Sequence, residues 1–300
     1  MTASSRSQTR QQQTIKKSVS CRGIGFITGA EIEVHFHPAH TNTGIQFQRT
    51  DQAGLPVIPA LVEYCVPRQR RTALQNGECS LELTEHVLAA LAGLQIDNCL
   101  VEVSGVELPG GDGSSLIFTE PLLEAGIEVQ SAPRQVLVID RQISVKNDQR
   151  MELFVRPANQ AEMQIGYQLD YGPRSPIFPQ VFHLSISPET FQRELAASRT
   201  FVLQDEVEAL RALGYGKRTT YQDLLVYGPE GVIDNKPRFV DECVRHKMLD
   251  CVGDFALLGC DIHGYFQAYR SGHELNRKLI RQIRTEYRGE LESGSRQKVA

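Results

Sequence analysis

Two pairs of segments in the 300-residue chain repeat each other at constant offsets, and this repeat constrains the fold more than any single motif does. Residues 32–51, IEVHFHPAHTNTGIQFQRTD, match residues 151–170, MELFVRPANQAEMQIGYQLD, in a Glu, a Pro-Ala pair and a final Asp. Each segment has the pattern of a strand, a Pro-Ala turn and a second strand, as in a β-hairpin. We interpret the repeat as an internal duplication.

A second repeated pair adds a helix to each half. Residues 86–103, HVLAALAGLQIDNCLVEV, and 246–268, HKMLDCVGDFALLGCDIHGYFQA, both begin with His and continue as an amphipathic helix. A Gly follows seven residues after each His, and the pattern then changes to that of a strand. The predicted fold class is therefore α+β, with two structurally similar domains, each a β-sheet packed with helices.

Composition places the boundaries of these domains. The polar N-terminus and the charged C-terminus are expected to be disordered, because they offer little apolar surface to bury. The segment 129–135 contains Pro and Ser and is the predicted linker, and additional sequence near 200–233 in the second half is where substrate contacts are expected. The predicted divisions are, in chain order, a disordered tail at 1–13, a first α+β domain at 14–130, a second at 131–284 and a C-terminal tail at 285–300.

The same composition excludes several classes of function. The net charge is −4 at pH 7 and no Lys/Arg-rich run stands out, so no nucleic-acid partner is expected. No apolar run approaches the roughly 20 residues of a membrane span, and no secretory signal is present, so a cytoplasmic protein is expected. The seven cysteines contain no C-x-x-C pair, which favours reduced thiols over disulfides or a structural zinc cluster.

Three ionisable residues, His246, Asp250 and Asp254, follow each other at four-residue spacing in the segment 239–259, which is otherwise rich in Val, Met, Leu, Cys and Phe. Positions four apart share one helix face, about 6 Å apart along the axis, so His246 and Asp250 can bind the same metal ion. An exposed polar stripe on an amphipathic helix is the alternative. The apolar residues on both flanks oppose that alternative, because a buried and unpaired carboxylate is costly.

If the helices of the two halves face each other, His86 joins His246 and Asp250. Two imidazoles and one carboxylate, with one position left open for water, form the ligand set of a catalytic zinc ion. Glu85 is adjacent to His86 and could act as general base on that water, as in other zinc hydrolases. Glu85 could also serve simply as an acidic first-turn residue of a helix capped by Thr84.

Four motifs occur together and in one order: LTEHVLAALAGLQIDNCLVEVSGVELPGGDGSS at 83–115, RTF at 199–201, RHKMLDCVGDF at 245–255 and SGHELNRKL at 271–279. In this combination the chain resembles the UDP-3-O-acyl-N-acetylglucosamine deacetylase family, zinc amidases of lipid A synthesis in Gram-negative bacteria. The resemblance covers about residues 14–284. It implies a β-α-α-β sandwich with the site between the two domains, an acylated UDP-amino sugar as substrate and one zinc ion per chain. A monomer is favoured, and the oligomeric state is left open.

The resemblance also implies a role for individual residues of this chain. The implied zinc ligands are His86, His246 and Asp250; the implied catalytic residues are the general base Glu85, the general acid His273, its orienting partner Asp254 and Thr200, which would help to hold the oxyanion; the implied substrate-binding residues are Lys247 and Phe201. Taken alone, His273 would be an ordinary surface histidine, Lys247 a solvated helix lysine and Phe201 a core residue.

The chain departs from the family pattern in three places. In the first turn, GFITG, Ile27 stands where the family has His. The loop PGGDGSS at 109–115 is glycine-rich, but no Gly-Lys-Ser/Thr follows, so a tight turn is predicted rather than a phosphate loop. The segment 214–228 also differs, and acyl-chain length or head-group preference could differ with it. The histidines of HFHPAH at 35–40 receive no role from the resemblance and are expected on a solvated strand face.

Two other functions remain open. A zinc amidohydrolase that acts on another N-acetylated sugar or amide would use the same residues on a different substrate. A non-catalytic, metal-stabilised binding protein would need the ligands alone, and the presence of Glu85, His273 and Asp254 opposes it. Two imidazoles and a carboxylate favour zinc but also accommodate iron(II).

Overall fold

The structure is a computed structural model that describes residues 9–296, with side chains described as far as residue 292. The strands, in chain order, are β1 (Gln11–Ile15), β2 (Val19–Ile24), β3 (Glu31–Pro38), β4 (Ile45–Arg49), β5 (Val57–Pro59), β6 (Cys65–Val66), β7 (Ala73–Asn76), β8 (Cys79–Leu81), β9 (Cys99–Val103), β10 (Ile127–Pro133), β11 (Val136–Val138), β12 (Ile143–Lys146), β13 (Glu152–Arg156), β14 (Met163–Leu169), β15 (Gln180–Ser185), β16 (Phe201–Leu203), β17 (Leu225–Gly228), β18 (Gly231–Val232) and β19 (Asp261–Tyr269). The α-helices are α1 (Glu85–Gly93), α2 (Leu116–Ala125), α3 (Pro188–Thr190), α4 (Gln204–Ala212), α5 (Glu242–Ala256), α6 (His273–Glu286) and α7 (Arg288–Arg296). The remaining helical elements are a 3-10 turn at Val62–Tyr64 and a π-helical turn at Phe191–Leu195.

Two sheets of the structure have the same strand order. The first is β2-β3-β9-β4-β5 and the second is β12-β13-β19-β14-β15, with β11 added in parallel to the beginning of β19. In each order only one neighbouring pair is parallel, β4 with β9 and β14 with β19. The α+β class with two similar halves is confirmed by this shared topology, whereas the boundaries at 14–130 and 131–284 stay a prediction.

The hairpins predicted within 32–51 and 151–170 are wrong. In both sheets the two strands of the repeated unit lie apart, with β9 between β3 and β4 and with β19 between β13 and β14. The inserted strand follows the helix of its half and is buried along alternate residues, as Cys99, Val101 and Val103 are in β9. A central strand that pairs on both edges buries this apolar face better than an edge strand would.

Alternation of apolar and polar residues gives each sheet one covered and one solvated face. In β3, Ile32, Val34 and Phe36 are buried, whereas Glu33 and His35 are exposed. Successive side chains of a strand point to opposite faces, so this period of two directs one face toward the helices. The histidine at position 35 therefore lies on the solvated face that the sequence predicted for HFHPAH.

The helices of the two halves meet between the sheets. Helix α2 packs on β2, helix α6 packs on β12 and β13, and helix α5 contacts β14 and β15. Helices α1 and α5 pack directly against each other. At their contact, a Cβ atom on Gly253 would lie 2.0 Å from the backbone oxygen of Glu85. Only glycine permits this approach, and the approach brings the first turn of α1 beside the middle of α5.

Substitution of Gly253 by alanine is expected to lower the free energy of unfolding by about 1–3 kcal/mol, because the added methyl group forces the two helices apart. Urea unfolding followed by circular dichroism measures this change. Gly289→Ala is the matched control, since its Cβ would have no heavy atom within 4 Å. Equal stability of Gly253→Ala and the wild type would show that the helix contact can relax without cost.

The chain is ordered further toward both ends than the sequence predicted. Residues 1–8 of the predicted tail lie outside the described residues, but β1 begins at Gln11 and pairs with β10. That pairing also accounts for most of the predicted linker 129–135, which is strand rather than connection. At the C-terminus, Tyr287 and Leu291 are buried one helical turn apart and α7 continues to Arg296. Backbone pairing at the N-terminal end and apolar burial at the C-terminal end therefore hold segments whose overall composition is polar.

Each half carries an insertion that the other lacks. In the first half, β6, β7 and β8 form a small sheet that the sequence did not predict. In the second half, the predicted insertion near 200–233 contains β16, β17 and β18 together with α4. Within the described residues, no helix combines the length and the apolar character needed to cross a bilayer.

Candidate metal and catalytic site

The contact between α1 and α5 brings three donor side chains together, one from α1 and two from α5. Donor atoms of His86, His246 and Asp250 all lie within 4.8 Å of one another. The Nε2 atoms of His86 and His246 are 3.6 Å and 3.4 Å from Asp250 Oδ1. The two imidazole rings meet edge to face with centroids 5.0 Å apart. These residues could hold one metal ion.

The two α5 donors have the protonation states that a metal site requires. Burial lowers the pKa of His246 to about 3, so its ring is neutral, and Nδ1 lies 3.1 Å from the carbonyl oxygen of Ser198. A neutral ring that donates from Nδ1 leaves the Nε2 lone pair free for a cation. Burial alone would raise the pKa of Asp250, but Lys247, His246 and His273 hold it well below its usual range.

The hydrogen bonding of the two Asp250 carboxylate oxygens also suits a bound cation. Oδ2 accepts a hydrogen bond from Lys247 Nζ at 2.8 Å. Oδ1 is buried and accepts no hydrogen bond from any group in residues 9–292. Buried polar atoms are almost always paired, so an ionised oxygen left open beside two imidazole nitrogens matches the chemistry of a divalent cation.

Glu85 is the first residue of helix α1 and directly precedes His86, one of the three metal donors. Its Oε2 accepts the backbone N–H of Thr72 at 3.0 Å, and its Oε1 is 4.0 Å from His273 Nε2. Burial raises the pKa of Glu85, although the charges of His273 and His86 oppose the shift. Thr84 occupies the N-cap position, but its hydroxyl donates to the Thr72 carbonyl instead of capping the helix.

His273 begins α6 and is oriented by Asp254. Its Nδ1 lies 2.9 Å from Asp254 Oδ2, and that oxygen also accepts a hydrogen bond from Asn276 Nδ2 at 2.8 Å. Burial by itself lowers the pKa of His273, but Asp254 and Asp250 outweigh it and raise the pKa to about 9. The ring is therefore protonated at neutral pH, and its Nε2 is directed toward Glu85 and Asp250.

The other three residues of the motifs lie around this centre. Lys247 is paired with Asp250, and its Nζ is 5.8 Å from the centroid of the Phe201 ring. That ring in turn meets His246 edge to face with centroids 6.2 Å apart. Thr200 lines the same cleft, and its backbone is held by Gly113 O, which accepts the Thr200 N–H at 2.8 Å.

A buried ion pair that the sequence did not predict holds the RTF segment on α5. Arg199 Nε donates to Glu242 Oε1 at 2.8 Å, and the Arg199 backbone N–H donates to the same atom at 3.0 Å. Both side chains are almost completely buried. The pair fixes Arg199 and thereby its two neighbours in the chain. These are Ser198, whose carbonyl oxygen orients His246, and Thr200.

The three metal donors line one cleft of about 1050 Å³ between the two halves, together with Glu85, His273, Lys247, Thr200 and Phe201. Asp254 and the Arg199–Glu242 pair are buried outside its lining. Side chains from both insertions border it, including Arg70 and Arg71 from the first and Val207 and Leu210 from α4 in the second. Helix α4 has no buried residue, so its apolar side chains face the cleft and its surroundings rather than a closed core.

The departures from the family pattern also border the cleft. Ile27 lines it and donates its backbone N–H to Glu107 Oε2 at 2.8 Å. The tight turn predicted at 109–115 is confirmed, because the Gly113 N–H donates to Gly110 O at 2.9 Å. Gly111 and Gly113 both have positive φ, a conformation that favours glycine.

Comparison with known proteins assigns the chain to a family. A family model described as UDP-3-O-acyl N-acetylglycosamine deacetylase matches residues 12–285. A Myxococcus xanthus protein named UDP-3-O-acyl-N-acetylglucosamine deacetylase is 36% identical over 274 residues, 91% of this chain and 86% of that protein. A Chlamydia pneumoniae protein of the same name is 36% identical over 269 residues, 89% of this chain and 94% of its own.

A longer relative from Chlorobaculum tepidum, named bifunctional enzyme LpxC/FabZ, is 38% identical over 302 residues. The match covers 91% of this chain but only 64% of that protein. The family match spans both sheets, both insertions and every residue of the metal-donor set described above. The chain belongs to the UDP-3-O-acyl N-acetylglycosamine deacetylase family.

Proposed function

We propose that this protein hydrolyses the acetamide of a UDP-3-O-acyl-N-acetylglucosamine, the deacetylation step of lipid A synthesis. The observation that carries the proposal is the convergence of three metal donors, a buried carboxylate and a protonated imidazole in one cleft. The names of the relatives in the family support the identity of the substrate. Location in the cytoplasm and a monomeric state stay predictions.

His86, His246 and Asp250 would hold one zinc ion. When bound, zinc supplies Lewis-acid chemistry, which lowers the pKa of water and polarises a carbonyl group. The neutral ring of His246 and the open Oδ1 of Asp250 support this ligand set. Lys247 neutralises the second oxygen of Asp250, so that Asp250 presents Oδ1 to the ion.

Glu85 and His273 divide the proton transfers between them. Glu85 accepts the proton of the attacking water, a role that suits a buried carboxylate with a raised pKa. His273 is protonated at neutral pH and donates its Nε2 proton to the departing amine, because Nδ1 is engaged by Asp254. The distance of 4.0 Å between Glu85 Oε1 and His273 Nε2 supports the proposal that both groups act on the same reacting centre.

The remaining residues would position the substrate. Thr200 would donate a hydrogen bond from its hydroxyl to the oxyanion of the tetrahedral intermediate, as preorganised donors do in other acyl transfers. Phe201 and Lys247 would contact the sugar nucleotide. The apolar side chains of α4, Val207 and Leu210, would border the acyl chain. Segment 214–228 and Ile27 depart from the family pattern. The acyl-chain length that this protein prefers must therefore be measured on the protein itself.

The test is a mass-spectrometric assay of purified protein with UDP-3-O-acyl-N-acetylglucosamine. Loss of one acetyl group from the substrate, together with about one zinc ion per chain by elemental analysis, is the expected result. Iron in place of zinc would change the metal and leave the reaction intact. Bound metal with activity only on other N-acetylated sugars or amides would favour the alternative amidohydrolase. Bound metal without hydrolysis of any amide would favour a binding protein.

A further inference from the structure

The proposed base and the proposed acid are both held by Thr72, a residue outside the four motifs. Thr72 directly precedes β7 in the insertion of the first half and is completely buried. Its backbone N–H donates to Glu85 Oε2 at 3.0 Å, and its carbonyl oxygen accepts the backbone N–H of Thr84 at 3.1 Å. The backbone of Thr72 thereby fixes the start of α1 and the Glu85 carboxylate.

The side chain of Thr72 makes contacts with the second half. Its Oγ1 donates to Asp254 Oδ1, lies 3.3 Å from His273 Nδ1 and accepts a hydrogen bond from Arg277 Nη1 at 3.3 Å. A hydroxyl has one proton and two lone pairs, so Thr72 can donate to Asp254 while it accepts from Arg277; the single Nδ1–H of His273 is directed to Asp254 Oδ2 at the shorter distance of 2.9 Å. Asp254 Oδ2 is already occupied by His273 and Asn276, which leaves Thr72 as the partner of Oδ1.

Glu85 and His273 come from different halves of the duplicated fold, so their spacing depends on contacts across the interface. Thr72 reaches Glu85 through its backbone and Asp254 through its hydroxyl. We infer that Thr72 is a positioning residue that holds the proposed base and the Asp254–His273 pair in register across the two halves. The inference rests on the proposed function, and the two contacts can be separated by mutation.

Thr72→Val keeps the shape of the side chain and the backbone N–H to Glu85 but removes the hydroxyl. We expect kcat to fall about 10- to 100-fold, in the range that loss of an orienting partner costs. KM should stay within about twofold, because the hydroxyl touches no substrate. Thr72→Ser restores the hydroxyl and should return kcat to within about threefold of wild type. Metal content should match the wild type in both variants, whereas the melting temperature should fall in Thr72→Val, because the buried Asp254 Oδ1 loses its hydrogen-bond partner.

Thr119→Val is the matched control, since Thr119 is a buried threonine in α2 whose hydroxyl donates to Ser115 O. Wild-type kcat in Thr72→Val would overturn the inference. A loss shared equally by Thr72→Val and Thr72→Ser, or accompanied by loss of metal, would also overturn it, because the hydroxyl would then not be the cause.

Proton NMR of the metal-loaded protein separates this inference from the proposed function. The His273 Nδ1–H shared with Asp254 should give a downfield resonance that shifts in Thr72→Val and returns in Thr72→Ser. An unchanged resonance in Thr72→Val would overturn the inference. Should the wild type release no acetate, the proposed function fails, and this resonance still decides whether Thr72 orients the imidazole.

Discussion

Replacement of Glu85 by glutamine is expected to lower kcat about 10²- to 10⁴-fold while the protein keeps its metal. Glutamine has nearly the shape of glutamate and can still accept the Thr72 N–H, which Glu85 Oε2 accepts at 3.0 Å. It cannot take a proton from water. Steady-state release of acetate measures the loss, and elemental analysis of the same preparation measures the metal content.

Glu120→Gln is the matched control, because Glu120 is an exposed glutamate on α2. It should leave kcat unchanged. Activity of Glu85→Gln close to that of the wild type would show that another group accepts the proton. Loss of metal in Glu85→Gln would instead assign Glu85 to the support of the ligand set.

Replacement of His246 by alanine is expected to remove both the metal and the activity. The variant loses the imidazole that lies 3.4 Å from Asp250 Oδ1 and leaves two donors in a site that needs three. Metal content should fall from about one ion per chain to below about 0.1. Elemental analysis after dialysis against metal-free buffer gives this number, and the acetate assay should fall to background.

A melting experiment with chelator tests the same site without reference to catalysis. A ligand that binds only the folded state stabilises it by about 4 kcal/mol at a thousand times its Kd. Chelator should therefore lower the melting temperature of the wild type and have no effect on His246→Ala. His40→Ala removes an exposed histidine and should behave as the wild type does. Full metal content in His246→Ala would exclude this residue as a ligand.

The repeated segments predicted the two halves of the fold but not the pairing within them. Strand and helix patterns are local, since they follow from the alternation of apolar residues along a few turns. The order β3-β9-β4 depends on a strand from 50 residues further along the chain, and nothing in 32–51 indicates that β9 separates its two strands. The pairing of residues 11–13 with β10 and the hydrogen bond from Gln135 to the Leu291 carbonyl likewise join residues that are distant in the chain, and composition does not reveal such contacts.

The candidate site likewise contains residues that could be identified from the sequence and residues that could not. Residues with the right chemistry at helical spacing, such as His246 and Asp250, could be recognised from sequence because one helix holds both. Thr72 could not, since a threonine between an arginine and an alanine carries no signal of its own. Arg199 and Glu242 also gave none, because their pairing is made across 43 positions of the chain.

By itself the sequence determined the duplication, the residue types able to bind a metal and the four motifs that resemble one family. Tertiary structure alone decided that α1 and α5 touch, that Asp250 keeps one oxygen open and that Thr72 joins the two halves. The physical reason is that side-chain chemistry belongs to each residue, whereas distances between residues far apart in the chain depend on packing. At Gly253 the absence of a single methyl group sets that packing and, through it, the site.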